Sequence, residues 1–250
     1  MSVGDIVLLC GAGLAGGFVN AVAGGGSLLL FPALVATGLG TVAANVTNSV
    51  ALWPGYVGTL VGLGPLVREQ WPRARKLVFV SCLGAGAGCA VLLGTPTRAF
   101  SVVVPFLIIG ATLLVAAQPA IARRIGTEHH AHPRMLVGAV GLGAVYGGYF
   151  GGGLGVILLA VIGLAGAGPL RATNAVKSVV SLVVATVALA AFVLFGPVHW
   201  LEVAITAPTA LAGGIIGGRM AASVNERLLR AAIVAFGLAI GAWLAVRAFG

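Results

Sequence analysis

The sequence predicts an all-α integral membrane protein made of two inverted repeats of five helical segments each, with the second segment of each repeat short and broken by glycine. Three observations predict this fold: the composition, a series of apolar segments and a duplicated glycine-rich motif. Apolar residues make up 60% and charged residues only 8% of the 250 residues, and the mean hydropathy is +1.13. Because soluble domains carry about 25% charged residues, this composition excludes a soluble enzyme, a disordered chain and a secreted scaffold.

Proline, glycine and charged residues divide the chain into ten apolar segments. Most of them approach the ~20 residues that a helix needs to cross about 30 Å of hydrocarbon. The second and seventh segments are visibly short, and a glycine cluster introduces each of them. The predicted segments are 4–22, 24–38, 44–63, 76–94, 99–119, 135–151, 153–167, 174–196, 202–221 and 229–248.

The distribution of Lys and Arg predicts the orientation of these segments. If successive segment ends alternate between the two sides of the membrane, one side receives every Lys and Arg except Arg98 and Arg247. Since cytoplasmic loops carry the Lys/Arg excess, we expect a bacterial-type inner (plasma) membrane with both termini outside. This distribution is the same whether the short segments cross the membrane or form re-entrant hairpins with their predecessors. The net charge of +9 is thus a topology signal, and we expect no nucleic-acid partner.

The chain repeats a set of motifs after about 127 residues. Residues 13–18 (GLAGGF), 24–30 (GGGSLLL) and 43–48 (AANVTN) recur as 143–148 (GAVYGG), 151–158 (GGGLGVIL) and 171–177 (RATNAVK). Each half holds five segments, and an odd number makes the second copy enter from the opposite face. We therefore expect a first repeat over 1–125, a basic cytoplasmic linker over 126–134 and a second, inverted repeat over 135–250. Such repeats, with short glycine-interrupted segments at matching positions, are typical of secondary transporters.

These motifs resemble the TauE/SafE sulfite exporter family, also called the TSUP permeases, over nearly the whole chain. The resemblance rests on a glycine-rich segment, a short apolar helix and a stretch with Asn and Thr, in that order, once in each half. Residues 174–177 (NAVK) resemble the family's pattern of Asn, Ala, a hydrophobic residue and Lys. The resemblance implies transport of a small sulfur-containing anion such as sulfite or a sulfonate, with a substrate that varies between members.

The glycine clusters are the first candidate substrate-binding residues. A helix that begins inside the membrane offers free N–H groups and the positive end of its dipole to an anion, and Gly lets the backbone approach a ligand. The candidates are Gly24, Gly25, Gly26 and Ser27 in the first half, and Gly151, Gly152, Gly153 and Gly155 in the second. The alternative is close helix packing, which we expect for the pairs Gly84–Gly88, Gly213–Gly217, Gly214–Gly218 and Gly237–Gly241.

Lys177 is the candidate source of positive charge at the site. An ammonium inside the bilayer costs several kcal/mol unless it is paired or hydrated, so such residues usually face a cavity. Asn174 lies three residues earlier on the same helical face. The alternative is a Lys that snorkels to the cytoplasmic headgroups, and the family pattern favours the site. Thr47 and Asn48 most nearly match this motif in the first half, and Asn20 precedes the first glycine cluster; all three either bind substrate oxygens or hydrogen-bond across helices.

The acidic residues restrict the mechanism. All five (Asp5, Glu69, Glu128, Glu202 and Glu226) map to loops or segment ends. We therefore expect no pump built around an intramembrane carboxylate. No Ser/His/Asp set has a plausible order for catalysis, so the sequence predicts neither an enzyme nor a cofactor. A loop with His129, His130 and His132 is interpreted as a solvated basic loop, and no metal site is expected.

The sequence as a whole predicts a permease or exporter for a small anionic substrate, embedded in the lipid bilayer and holding that substrate between its halves. A channel-like facilitator for another small anion or a neutral solute is the alternative, and a membrane enzyme or assembly subunit is a further one. The direction of transport, the coupling ion and the oligomeric state, a homo-oligomer included, stay open.

Overall fold

The computed structural model describes residues 1–124, 133–164, 170–221 and 223–249, and these residues form α-helices and no strands. The all-helical prediction is therefore confirmed for this part of the chain. The loop with His129, His130 and His132 lies outside the described residues. The helices are α1 (Val3–Val22), α2 (Ser27–Ala36), α3 (Thr41–Leu63), α4 (Pro65–Gly94), α5 (Thr97–Arg124), α6 (Pro133–Tyr149), α7 (Leu154–Leu164), α8 (Leu170–Phe195), α9 (Trp200–Met220) and α10 (Glu226–Phe249).

Six helices are long and apolar enough to cross a membrane: α1, α4, α5, α8, α9 and α10. Helix α3 has 23 residues and a length of about 35 Å, but Asn45, Thr47 and Asn48 make it more polar than these six. Helix α4 begins at Pro65, eleven residues before the predicted segment. Its first turns carry Arg and Lys, which favour a helix but not a lipid environment. The helix therefore begins before the apolar segment that marks its membrane-spanning part.

The two short helices fold back along the helices that precede them. Gly147 and Gly143 of α6 face Leu154 and Leu158 of α7, respectively, so the two helices run antiparallel. Gly26 at the start of α2 likewise packs against Gly16 in α1. Helix α2 has 10 residues and α7 has 11, which corresponds to only about 15–17 Å. Each pair is therefore a helical hairpin whose second arm covers half of the hydrocarbon thickness. We call α1–α2 the first hairpin and α6–α7 the second hairpin.

The packing of helices in the two halves follows one scheme. Helices α1 and α3 both pack on α9, while α6 and α8 both pack on α4. Helix α2 contacts α10, and α7 contacts α5. The two remaining large contacts, α3 with α8 and α5 with α10, join corresponding helices of the two halves. Most major helix contacts in one half thus have an equivalent in the other half, where each helix corresponds to the one five places further along the chain.

Glycine provides the close approach between these helices. Gly213 and Gly217 of α9 face α1, whereas Gly214 and Gly218 face α3. A methyl group at Gly214 would overlap the carbonyl oxygen of Gly55. Two glycine pairs of α4 and α10 behave in the same way, since Gly84 and Gly88 meet α6, and Gly237 and Gly241 meet α5. The packing role expected for these four small-residue pairs is therefore confirmed.

Two glycines of α4 allow a matched test of this packing. We expect Gly88→Ala to destabilise the protein by about 1–3 kcal/mol, because the added methyl group overlaps the Val145 carbonyl oxygen in α6. Gly86 has open space at the same point, so Gly86→Ala should be neutral or stabilise the helix by up to about 1 kcal/mol. Thermal unfolding in detergent measures both changes, and equal melting temperatures for the two variants would contradict the α4–α6 contact.

Candidate functional site

The tips of the two hairpins have the same backbone geometry. In the first hairpin, the N–H groups of Ala23 and Gly24 both donate to the Val19 carbonyl, at 2.7 and 2.9 Å. In the second, the N–H groups of Phe150 and Gly151 donate to the Tyr146 carbonyl, at 2.9 and 3.2 Å. Gly24 and Gly151 have φ angles of +81° and +76°, a region that side chains with a Cβ disfavour. Glycine at these two positions therefore ends each long arm and turns the chain.

The short arms also begin alike and leave backbone donors free. The carbonyl of Gly26 accepts from Leu29 and Leu30, and the carbonyl of Gly153 accepts from Val156 and Ile157. Among the described residues, no hydrogen bond is formed by four N–H groups at these two tips, those of Gly25, Ser27, Gly152 and Gly153. Free N–H groups at the positive end of a helix are donors for an anion.

The two hairpin tips contact each other directly. The Gly155 N–H donates to the Gly24 carbonyl at 3.3 Å, and a Cβ built on either glycine would lie 2.5 Å from the other's Cα. Phe31 of α2 and Phe150 at the second tip pack edge to face, with ring centroids 5.8 Å apart. The two glycine clusters, 127 residues apart in sequence, therefore meet in space.

A buried amide lies beside this contact. The Asn20 Oδ1 accepts from the Gly26 N–H at 3.2 Å and so holds the start of the first short arm. Its Nδ2 has no hydrogen-bond partner, although the side chain is only 6% exposed. The buried Ser27 hydroxyl beside it forms no hydrogen bond to a described residue either. Unsatisfied buried donors cost free energy, so these two groups are candidates for contact with a ligand.

A small cavity separates the tips from the middle of α3 and α8. Its volume is about 20 Å³, which is room for roughly one water molecule. Tyr56 and Ser49 lie on the α3 side of the cavity, and sequence reasoning did not select either of them as a site residue. Their spacing with Leu52 (i, i+3, i+7) is the one sequence signal that places them on a common face. The lining residues are Ser27, Ser49, Leu52, Tyr56, Gly147, Gly151, Leu154, Val184, Ala185 and Ala188.

A larger groove lies elsewhere in the described structure. It measures about 540 Å³ and lies between α1, α2, α9 and α10, and its lining is almost wholly apolar. Leu14, Phe18 and Phe236 are typical of the lining residues. A groove of this composition has no donor for an anion, so it is not the candidate site.

Lys177 is buried near the cytoplasmic end that we predict for α8. It is 3% exposed, and its ammonium forms no ion pair or hydrogen bond with any described residue. Its helix neighbours Val176, Val179 and Val180 belong to a hydrophobic cluster. Asn174 lies one turn earlier, where its carbonyl accepts from the Ser178 hydroxyl at 2.8 Å. A buried cation with no counter-charge among the described residues is suited to attract an anion.

The polar residues of α3 lie between the second hairpin tip and the opposite end of α8. The Thr47 hydroxyl accepts from the His199 N–H at 3.1 Å, just beyond the last residue of α8. Asn45 donates to the Tyr149 carbonyl at the second tip, at 3.0 Å, and Asn48 is 1% exposed. The Oδ1 atoms of both asparagines have no partner.

The structure does not bring Lys177 and Thr47 into one site. Phe195, the last residue of α8, follows Lys177 by 18 residues, which corresponds to about 27 Å along the helix. Between these two ends, Val184 to Ala188 face the cavity at the hairpin tips. The candidate residues therefore follow one another along α3 and α8: Asn174 and Lys177 at one end, the glycine tips in the middle and Thr47 at the other end. Asn48 lies next to the tips, directly before the cavity-lining Ser49.

One acidic residue is less exposed than its position in the sequence implied. Glu202 belongs to the first turn of α9 but is buried, with 8% of its surface exposed. Its Oε2 lies 3.9 Å from the His199 Nδ1. It remains at a helix end, away from the hairpin tips.

The chain is similar to known membrane proteins over nearly its whole length. A family model described as "Sulfite exporter TauE/SafE" matches residues 9–244. A "Probable membrane transporter protein" of Haemophilus influenzae is 25% identical over 232 residues, 91% of this chain and 89% of the relative. "Probable membrane transporter protein ORF9" of Sinorhizobium sp is 26% identical over 232 residues, 90% of this chain and 86% of the relative.

A third relative, "Probable membrane transporter protein YfcA" of Escherichia coli K12, is 24% identical over 226 residues, 87% of this chain and 81% of the relative. No solved structure matches the chain significantly. These relatives and the six long apolar helices describe a multi-pass membrane protein.

A pair of glycines with positive φ tests the contact between the tips. Gly24→Ala should lose about 1–2 kcal/mol from backbone strain and a further 1–3 kcal/mol, approximately, from overlap with Gly155. Gly38 has a φ of +99° but open space around it, so Gly38→Ala should lose only the strain. Thermal unfolding of both variants gives the difference, and equal losses would show that the tips do not touch as described.

Proposed function

The chain belongs to the TauE/SafE sulfite exporter family, and from that premise we propose that it is a secondary permease that exports a small sulfur-containing anion. The substrate class is sulfite, a sulfonate or a related organosulfur anion, held between the two halves at the hairpin tips. The other proposed binding groups, Asn174, Lys177, Thr47 and Asn48, belong to the path by which the anion reaches and leaves the tips.

One observation carries this proposal: the two glycine turns meet through Gly24 and Gly155 and leave buried N–H donors around the contact. Together with the free Asn20 Nδ2, these donors form a neutral but electropositive environment. Such an environment binds an oxyanion without a metal or a fixed counter-charge. Gly at the turns keeps side chains out, so the backbone itself contacts the substrate.

Lys177 supplies the long-range attraction. Its burial without a described acidic partner disfavours a purely structural role, because an unpaired ammonium in an apolar environment is costly. An anion that enters from the cytoplasmic side neutralises this charge. The inside-negative potential then favours its export by about 2.3 kcal/mol per charge per 100 mV.

We further propose that the halves are inverted repeats over 1–125 and 135–250, joined by the basic cytoplasmic linker 126–134. The matched hairpin tips and the matched helix packing support this arrangement. A hairpin returns the chain to the side from which it came, which leaves α3, α4 and α5 as three crossings in the first half. Three is odd, so the second half enters from the opposite face.

Transport then proceeds by alternating access. The cavity at the tips has room for roughly one water molecule, so an anion of several heavy atoms requires the halves to move apart. A carrier that rocks one half against the other meets this requirement, whereas a channel needs a continuous wet path. The small volume of the cavity therefore favours a carrier over the channel-like alternative.

Substituting each of the two lysines of the chain tests whether the positive charge of Lys177 is required for transport. We expect Lys177→Met to lower sulfite flux into proteoliposomes at least tenfold, because the buried cation that attracts the anion is lost. Lys177→Arg should retain part of the flux. Lys76 is exposed on α4, so Lys76→Met serves as the control and should transport normally. Unchanged flux and affinity in Lys177→Met would overturn the role of Lys177.

The proposed orientation, with both termini outside the inner membrane, can be tested by labelling. In a cysteine-free background, a maleimide that cannot cross membranes should label Ser2→Cys in intact cells. Arg75→Cys, at an exposed position of the basic α4 extension, should react only after the membrane is permeabilised, because basic loops stay in the cytoplasm. The reverse labelling pattern would contradict the orientation.

A further inference from the structure

One peptide unit at each hairpin tip is held by a side chain from the end of the long arm. In the first tip, the Asn20 Oδ1 accepts from the Gly26 N–H at 3.2 Å. In the second tip, the Tyr146 hydroxyl donates to the Gly152 carbonyl at 2.5 Å. Each bond joins residues six apart in the chain. The two side chains thus brace the tips in a similar way, but one binds a backbone donor and the other a backbone acceptor.

The two braces act on corresponding peptide units of the repeat. Because the glycine clusters are 127 residues apart, the peptide unit 25–26 corresponds to the unit 152–153. In the first tip, Asn20 binds the N–H of this unit, and the Leu28 N–H donates to its carbonyl, on Gly25, at 3.0 Å. Both polar groups of the unit are therefore used within the first hairpin.

In the second tip, the carbonyl of the corresponding unit is bound differently. Leu28 corresponds to Gly155, whose N–H crosses to the Gly24 carbonyl at 3.3 Å. No N–H of the described short arm donates to the Gly152 carbonyl. The Tyr146 hydroxyl takes that place, and it satisfies a buried carbonyl that would otherwise cost free energy inside the membrane.

The bond from Tyr146 also determines the direction of a free donor. In a planar trans peptide unit, the carbonyl and the N–H point in opposite directions. Since the hydroxyl holds the Gly152 carbonyl, the Gly153 N–H of the same unit points away from Tyr146, and it forms no hydrogen bond with a described residue. The Tyr146 ring is itself supported by Phe150, which it meets edge to face with ring centroids 6.3 Å apart. The donor is therefore oriented before a ligand arrives.

We propose that Tyr146 is a positioning residue for the anion site. The main chain alone could satisfy the Gly152 carbonyl through the Gly155 N–H, as Leu28 does in the first tip. By taking that place, the Tyr146 hydroxyl reserves the Gly155 N–H for the contact between the tips and, once the tips separate, for the substrate. The N–H groups of Gly153 and Gly155 then face the anion together. This inference rests on the proposed function, since it concerns an anion that binds where the tips separate.

Tyr146→Phe tests this role, because it removes the hydroxyl and keeps the ring against Phe150. The Gly152 carbonyl should then bind the Gly155 N–H within the short arm. The dissociation constant for sulfite should rise about tenfold, as expected for loss of a hydrogen bond to a charged group. The rise in melting temperature with sulfite concentration, in detergent-solubilised protein, gives this constant.

Tyr149→Phe is the matched control on the same helix. The Tyr149 ring stacks on Phe100, and its hydroxyl forms no hydrogen bond with a described residue. This variant should bind sulfite as the unaltered protein does. A brace with only a structural role would lower the melting temperature of Tyr146→Phe without sulfite and leave its dissociation constant for sulfite unchanged.

Hydrogen–deuterium exchange follows the backbone donors themselves. In the unaltered protein, sulfite should slow the exchange of residues 24–27 and of residues 151–155. At saturating sulfite, Tyr146→Phe should keep the protection of 24–27 and lose most of that of 151–155.

Two results would overturn the inference: an unchanged dissociation constant in folded Tyr146→Phe, or sulfite that binds the unaltered protein without protecting residues 151–155. The second result needs no variant, so it decides the matter even if Tyr146→Phe does not fold. An unaltered protein that neither binds nor transports sulfite or a sulfonate would instead overturn the proposed function.

Discussion

The backbone contact between Gly24 and Gly155 is the constraint on which the rest of the structure depends. Two half-length helices leave unpaired N–H and carbonyl groups at depths where lipid provides no hydrogen bond, and each such group costs several kcal/mol. Joining the two tips satisfies part of this need, since the Gly155 N–H donates to the Gly24 carbonyl. The crossing of α3 and α8 beside the tips, and the packing of long helices around them, keep the remaining groups away from lipid.

The same constraint explains where a substrate fits. The close contact between two glycines has no room for a side chain, and four backbone N–H groups around it form no hydrogen bond to a described residue. An oxyanion is the natural partner for such a set of donors. The proposed movement separates the tips and admits the substrate, which then takes the place of the contact between the halves. We propose that Lys177, seven residues before the cavity-lining Val184, and Asn48, next to the cavity-lining Ser49, guide the anion to the tips.

The sequence allowed the class of fold and the position of the tips to be predicted, since both depend on local patterns. Apolar segments and the repeated glycine clusters are visible along the chain, and the turns at Gly24 and Gly151 require glycine for a local reason, their positive φ. The meeting of Gly24 with Gly155 could not be predicted, because it depends on how helices far apart in sequence pack. Hydropathy also missed the start of α4 at Pro65, because the first turns of this helix carry the charged residues Arg68, Arg73 and Arg75.

The candidate site was predicted less completely for a similar reason. Thr47 and Lys177 occupy nearly corresponding places in the repeated motif, and the motif alone put them together. In the structure α3 and α8 run antiparallel, which places one residue at each end of their crossing. Tyr56 was overlooked because a single hydroxyl in an apolar helix carries no signal until the opposite wall of its cavity is known.

A direct measurement would locate the anion in crystals of the protein soaked with selenite, a heavier analogue of sulfite, by its anomalous scattering. The proposed site predicts one principal peak between the hairpin tips, within hydrogen-bond distance of the Asn20 Nδ2 and the Ser27 Oγ. A principal peak at exposed arginines or in the apolar groove beside α10, with none at the tips, would contradict a binding site formed where Gly24 and Gly155 meet.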